Sequence, residues 1–162
     1  MLQERTREVA DATRRPARLA AGVAGALFLL AGILGFVPGV TSDYASLALS
    51  GHYSEARLFG VFQVSVLHNL LHLLLGAAGL AAAWLGARLS RLYLLAGGLV
   101  YLALWLYGAL LDLTTVEKLF GPIPSGTSLV SFAPADDWLR FLVAAGMLAL
   151  YFLVRPARGI PE

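Results

Sequence analysis

Polar side chains that could do chemistry fall close together in one apolar part of the chain: Gln63, Ser65, His68, Asn69 and His72. Positions 65, 68, 69 and 72 follow the i, i+3, i+4, i+7 spacing that places residues on one face of a helix. Because a helix beginning at Phe59 rises ~1.5 Å per residue, His68 is expected near the middle of a membrane. Polar groups at that depth usually face other helices rather than lipid.

This face admits three interpretations. It can hold neighbouring helices together by hydrogen bonds, with Tyr101 as the expected partner of His72. It can form a metal or proton site, because two histidines at i and i+4 can chelate one ion. It can also line a haem or quinone pocket. The chain has no cysteine, and neither a second helix with a histidine nor an acidic residue at matching depth is evident. We therefore favour the structural interpretation and expect no cofactor.

The composition identifies the elements that must position these residues. Hydrophobic residues make up 59% of the chain and charged residues 14%, whereas soluble domains typically carry about 25% charged residues. The charges are also unevenly placed, and four stretches contain none: those between Arg18 and Asp43, Arg57 and Arg88, Arg91 and Asp112, and Arg140 and Arg155. About 20 apolar residues cross the hydrocarbon core as a helix. The pattern predicts an all-α, four-helix membrane bundle.

The predicted organisation has three parts. A basic segment covers residues 1–16, a four-helix membrane domain covers 17–154, and a tail covers 155–162. The helices are expected at about 17–37, 59–85, 91–111 and 138–154, with a tight turn at 86–90. A short interfacial helix is expected at 45–49.

Basic residues predict the orientation, because cytoplasmic loops of membrane proteins are enriched in Lys and Arg. Nine arginines lie in the N-terminal segment, the 86–91 turn and the C-terminal tail: Arg5, Arg7, Arg14, Arg15, Arg18, Arg88, Arg91, Arg155 and Arg158. An even number of spans then places both termini in the cytoplasm. The net charge of +2 is too small and dispersed to indicate nucleic acid, so the expected partner is the lipid bilayer.

The opposite side carries the two longer loops, 38–58 and 112–137. The second loop is expected to pack over the bundle as a cap. Asp136 or Asp137 is expected to cap the fourth helix, where a carboxylate complements the helix N-terminus. Asp112, Asp136, Asp137 and Arg140 form a second candidate site, a charged cluster on the outer face; Asp112 is interpreted as a surface carboxylate.

Two segments carry a family resemblance. The run from Leu58 to Leu73, LFGVFQVSVLHNLLHL, and the run from Ala135 to Arg140, ADDWLR, resemble the signatures of a family of small four-helix bacterial membrane proteins, a domain of unknown function. Those signatures have an H-N-x-x-H-L core on the second helix and an A-D-N-W-L-H-like segment at the fourth. Here Ser65 stands where asparagine is expected, and Arg140 where histidine is expected. The resemblance implies a multi-pass protein of the bacterial cytoplasmic membrane.

Function is not encoded by any catalytic motif. The hypothesis we favour is a structural or accessory membrane component without catalysis, acting alone, as a homo-oligomer or with another membrane protein. The alternative is an ion-, metal- or cofactor-binding protein, such as a redox accessory, that uses the His and Asn face of the second helix. His68 and His72 are then the candidate metal ligands.

Overall fold

A computed structural model describes residues 2–50, 54–113 and 134–154, without the side chains of residues 2–14, 109–113 and 134. The described residues form four α-helices: α1 (Leu2–Leu34), α2 (Val66–Leu85), α3 (Ala87–Leu113) and α4 (Pro134–Leu153). The helix α1 packs mainly on α2, and α3 packs mainly on α4. This arrangement confirms the mostly helical fold that the composition predicted.

Three of the helices contain stretches long and apolar enough to cross a membrane: Arg15–Leu34, Val66–Leu85 and Ala87–Gly108. A stretch of about 20 residues matches the ~30 Å hydrocarbon core. The helix α4 is 20 residues long, but Asp136, Asp137 and Arg140 lie within its first two turns. The fourth span therefore stays a prediction, as does the orientation of the bundle.

Several boundaries differ from those predicted. The helix α1 begins at Leu2 and ends at Leu34, so the polar N-terminal segment continues the span instead of preceding it. Gly86 alone separates α2 from α3. With φ 141° and ψ 172° it adopts a backbone conformation that favours glycine. The buried Ser90 stabilises this turn, since its Oγ donates to the carbonyls of Ala82 and Gly86 at 3.0 and 2.9 Å.

A small antiparallel sheet occupies the connection between α1 and α2. Its strands are β1 (Thr41–Ser42), β2 (Arg57–Leu58) and β3 (Phe62–Gln63), in that order. The predicted start of the second helix at Phe59 is therefore wrong. Because a short apolar run is compatible with either a helix or a buried strand, hydropathy could not separate the two. The expected helix at 45–49 is likewise replaced by a single 3-10 turn, Tyr44–Ser46.

Buried polar side chains hold this sheet against the helices. Ser54 is fully buried, and its Oγ donates to the carbonyl of Val64 at 2.5 Å and accepts from the amide of Ala48 at 3.3 Å. Thr41 Oγ1 donates to the carbonyl of Leu34 at the end of α1, at 3.1 Å. Ala56, Leu58 and Val64 form a small apolar core beneath. We call this end of the bundle the sheet end and the opposite end, at Gly86, the turn end.

Glycines let α1 and α2 approach closely. A Cβ on Gly25 would lie 2.8 Å from the carbonyl oxygen of Gly76, and one on Gly79 would lie 2.7 Å from the Cα of Gly25. A Cβ on Gly76 would lie 2.5 Å from the backbone nitrogen of Leu29. These contacts are with backbone, which cannot move aside as a flexible side chain can. Glycines thus permit the close packing of α1 on α2.

Substitution of Gly76 by alanine is expected to destabilise the bundle by roughly 1–3 kcal/mol, because overpacking forces the backbones apart. Gly146→Ala on α4 is the matched control, since a Cβ there would meet no atom within 4 Å. The control should be neutral or gain up to about 1 kcal/mol from helix propensity. Thermal unfolding in detergent measures both. Equal effects of the two variants would contradict the close contact.

The turn end carries arginines that bind helix carbonyls. Arg18 of α1 donates from Nε to the carbonyl of Ala83 at 2.7 Å and from Nη2 to that of Trp84 at 3.3 Å. A cation at this position complements both the unpaired carbonyls and the negative end of the α2 dipole. Arg18 therefore joins the start of the first span to the end of the second.

The predicted orientation can be tested by single-cysteine labelling, because the chain has no cysteine of its own. Arg88 is exposed at the turn end and Glu55 is exposed at the sheet end. We expect a membrane-impermeant maleimide to label Glu55→Cys in intact cells and Arg88→Cys only after lysis. The reverse pattern would overturn the orientation with both termini in the cytoplasm.

Candidate functional site

The polar face begins one residue before α2, at a helix cap. Ser65 has extended backbone angles, φ −138° and ψ 167°, and its Oγ accepts a hydrogen bond from the amide of His68 at 3.2 Å. Such a cap satisfies one of the amides that a helix N-terminus leaves unpaired. Ser65 was predicted on the helix face, but the structure places it at the N-cap. Its role there is to start the helix.

The start of α2 also changes the depth of the site. His68 and His72 lie only about 3 and 9 Å along the helix from Val66, at ~1.5 Å per residue. They are therefore close to the sheet end. The expected depth of His68 assumed a helix that begins at Phe59, whereas residues 57–63 belong to strands and a turn; its depth in a membrane stays a prediction.

His72 uses both of its ring nitrogens. Its Nδ1 lies 3.0 Å from the carbonyl oxygen of His68, and since a carbonyl can only accept, Nδ1 carries the proton. Nε2 of the neutral ring then accepts from the hydroxyl of Tyr101 on α3, at 3.2 Å. Tyr101 is 8% exposed. The contact between the second and third helices that the sequence predicted is present.

An aromatic residue of α1 completes this contact. The ring of Phe28 lies 5.4 Å from the ring of His72 and 5.4 Å from that of Tyr101, measured between centroids. Three helices thus meet at one cluster of rings. Sequence reasoning missed Phe28, because a phenylalanine within an apolar span gives no signal that distinguishes it from its neighbours.

The ring of His68 makes fewer hydrogen bonds to the described residues than the ring of His72. Its ring stacks on that of His72, with centroids 4.2 Å apart and planes 21° from parallel. The side chain is half-buried. Within residues 2–50, 54–113 and 134–154, its ring nitrogens have no hydrogen-bond partner. His68 is therefore the member of the pair whose ring nitrogens are not engaged by any described residue.

Asn69 faces α1 instead of the histidines. It is 1% exposed, and its carboxamide occupies the space that a Cβ on Gly35 would need. No described residue accepts a hydrogen bond from its Nδ2. A buried amide without a partner costs free energy. The expected bonds from Asn69 to the histidines or to α3 and α4 are absent among the described residues.

The charged cluster lies at the start of α4. Arg140 Nη1 forms an ion pair with Asp137 Oδ1, and Asp136 and Arg140 are 6% and 9% exposed. Because α4 begins at Pro134, both aspartates lie inside its first turn, so the expectation that one of them is the N-cap is wrong. Carboxylates in the first turn still complement the helix dipole. The side chain of Asp112 and most of the predicted cap, residues 114–133, lie outside the described residues.

The two candidate sites come together at the sheet end. Arg140 is near enough to His68 and Tyr101 to act on both electrostatically. In addition, Asp137 lies against α3, where a Cβ on Gly108 would be 2.6 Å from its Oδ1. The polar residues of α2 and the charged residues of α4, distant in sequence, therefore border one region.

This region does not assemble an evident metal site. Among the described residues, no group of three or more histidine, aspartate or glutamate side chains is placed to hold one ion. His72 could bind a metal only by giving up a hydrogen bond, since both of its nitrogens are engaged. His68 alone offers a nitrogen without that cost.

Comparison with known proteins identifies the family. A family model described as a domain of unknown function (DUF4383) matches residues 18–153. The chain belongs to this family. The matched range includes the segments at 58–73 and 135–140 on which the resemblance rested, together with all of the described sheet. No curated protein matches the chain, and no solved structure does.

The Tyr101–His72 bond can be tested in this DUF4383 protein by removing one oxygen. Tyr101→Phe is expected to lower stability by about 0.6–1.7 kcal/mol, the range of single interhelical hydrogen bonds in membranes. Tyr107→Phe is the matched control, because Tyr107 is on the same helix and 47% exposed. Thermal unfolding of both variants gives the comparison. If the Tyr101→Phe protein were as stable as the control, the hydrogen bond would contribute nothing measurable to stability.

Proposed function

We propose that this DUF4383 protein is a structural or accessory component of the bacterial cytoplasmic membrane and that it acts without catalysis. One observation carries the proposal: both ring nitrogens of His72 are used within the bundle, one by the backbone of α2 and one by Tyr101 of α3. A polar side chain whose bonds are all internal stabilises helix packing and has none left for a substrate.

The surroundings of His72 support the same function. Phe28 packs on His72 and Tyr101, and Asn69 fits beside Gly35 at the end of α1. The most polar positions of α2 thereby join three helices at the sheet end. Such a cluster suits a protein whose task is to keep one shape in the bilayer, as a scaffold for lipid, for a second copy or for another membrane protein.

The proposed placement follows from the charges. Both termini lie in the cytoplasm, and the turn end with Arg18, Arg88 and Arg91 faces the same side. The sheet end then faces outward. Nucleic acid is not among the proposed partners, because the net charge is only +2.

A second function rests on His68. Its nitrogens are not used by the described residues, its ring stacks on a hydrogen-bonded neighbour, and Arg140 lies close by. An imidazole in this state can bind a metal ion, a proton or the polar group of a cofactor. His68, with His72 and Arg140, would then form a binding site instead of a brace between helices.

Two substitutions separate the functions. With a structural role, His72→Ala is expected to lower stability by about 1–3 kcal/mol through two lost hydrogen bonds and a cavity, whereas His68→Ala should cost less. Neither variant should change the metal content or the visible spectrum of the purified protein. Thermal unfolding, elemental analysis and absorption spectra are the measurements.

The opposite outcome has a clear signature. If the purified protein carries a stoichiometric ion or an absorbing group that His68→Ala removes while the fold persists, the structural proposal fails and the binding function replaces it. Gly146→Ala, which alters an open position on α4, is the control for the effects of any substitution on purification.

A further inference from the structure

The turn between β2 and β3 exposes apolar side chains. It consists of Phe59, Gly60 and Val61, and the side chains of Phe59 and Val61 are 62% and 48% exposed. The flanking strand residues behave oppositely, since Leu58 is 7% exposed and belongs to the core beneath the sheet. We call residues 59–61 the hairpin tip.

The backbone of the tip makes the choice of phenylalanine unusual. Phe59 has φ 54°, in the left-handed region, and Gly60 follows with φ 73°. A bulky residue with positive φ is a genuine outlier, whereas glycine or asparagine takes this conformation easily. An exposed ring gains little from contacts inside the protein. The backbone contacts of the tip hold this conformation, but they do not explain why an exposed phenylalanine occupies it.

The tip is held firmly where it is. Its base is fixed by the pairs Arg57–Gln63 and Leu58–Phe62 of the sheet, and the amide of Phe59 donates to the carbonyl of Val40 at 3.0 Å. Gln63 Nε2 donates to the carbonyl of Ser54 at 2.5 Å. The fold thus presents Phe59 and Val61 on a rigid support.

The level of the tip follows from α2. This helix has 20 residues, which span ~30 Å, the whole thickness of a hydrocarbon core. Val66 then lies at the boundary of that core, and the sheet that precedes it lies in the interfacial layer. Beside it, the first turns of α2 expose Leu70 and Leu71, at 45% and 49%, as lipid-facing residues do.

We propose that the hairpin tip inserts into the lipid leaflet at the sheet end, with Phe59 and Val61 among the upper acyl chains. The tip has no charged residue, and the charged residue closest to it in sequence is the exposed Arg57 at its base. A cation on a long side chain can extend to lipid phosphates while the apolar tip enters the leaflet. Lipid is the natural occupant because the tip borders the boundary of a span.

The absence of cysteine allows the proposal to be tested at single positions. A nitroxide is attached to Phe59→Cys or Val61→Cys, and the full chain is reconstituted in vesicles of phosphatidylcholine and phosphatidylglycerol. Collisions with oxygen, which concentrates in lipid, are compared with collisions with the water-soluble nickel complex of EDDA. Glu55→Cys, exposed on the same connection, is the aqueous control, and Leu74→Cys, 67% exposed on α2, is the lipid control.

Labels at 59 and 61 are expected to favour oxygen over nickel and to resemble the label at 74. Nickel accessibility equal to that at 55 would overturn the proposal. Low accessibility to both reagents would overturn it as well, because protein would then cover the tip, either another part of this chain or a second copy. Dilution into a large excess of lipid separates the copies, so it would raise accessibility only if a second copy covers the tip.

A second variant keeps the test independent of the label at position 59. Phe59→Asn preserves the left-handed backbone and removes the ring. In a protein labelled at Val61→Cys, this change should shift accessibility from oxygen towards nickel, while thermal stability stays equal or rises because backbone strain is relieved. An unchanged accessibility at 61 would show that Phe59 does not anchor the tip in lipid.

Discussion

The close contact between α1 and α2 is the constraint on which the remaining structure depends. Backbones can approach only where side chains are absent, and Gly25, Gly76 and Gly79 provide that space. The contact brings Phe28 to the ring of His72 and the end of α1 to Asn69. It also brings together the two ends of the connection that forms the sheet. Packing without a hydrophobic driving force relies on such close fits in a membrane.

Several polar side chains in this bundle form hydrogen bonds with nearby groups, and such bonds occur at both ends of the bundle. Ser65 caps α2, His72 bonds to its own helix and to Tyr101, and Ser90 bonds to two carbonyls at the turn. A bilayer offers no water to an unpaired group, so each such bond satisfies a group that would otherwise lack a partner. Among the described residues, the buried polar atoms without a hydrogen-bond partner include Asn69 Nδ2, Arg91 Nε and the hydroxyl of Tyr93.

The sheet end combines features that a purely apolar bundle does not need. A strained hairpin tip, the imidazole of His68 and a half-buried ion pair between Asp137 and Arg140 all lie there. The turn end is simpler: Arg18 bonds to helix carbonyls, and Arg91 places a cation over the ring of Tyr151 at 5.0 Å. Both ends join helices, but only the sheet end also carries a strand-forming connection and an exposed apolar turn.

The sequence by itself determined the class of protein, because charge-free stretches of membrane length leave no other way to bury so much apolar surface. It also pointed to Tyr101 as a partner of His72, since polar groups in apolar helices have few other partners. Only the tertiary structure decided where α2 begins, for the run from Leu58 to Val64 is apolar enough for helix or strand. Hydropathy records polarity and not backbone pairing, so the sheet, the position of His68 near the start of α2 and the direction in which Asn69 points came from contacts between distant segments.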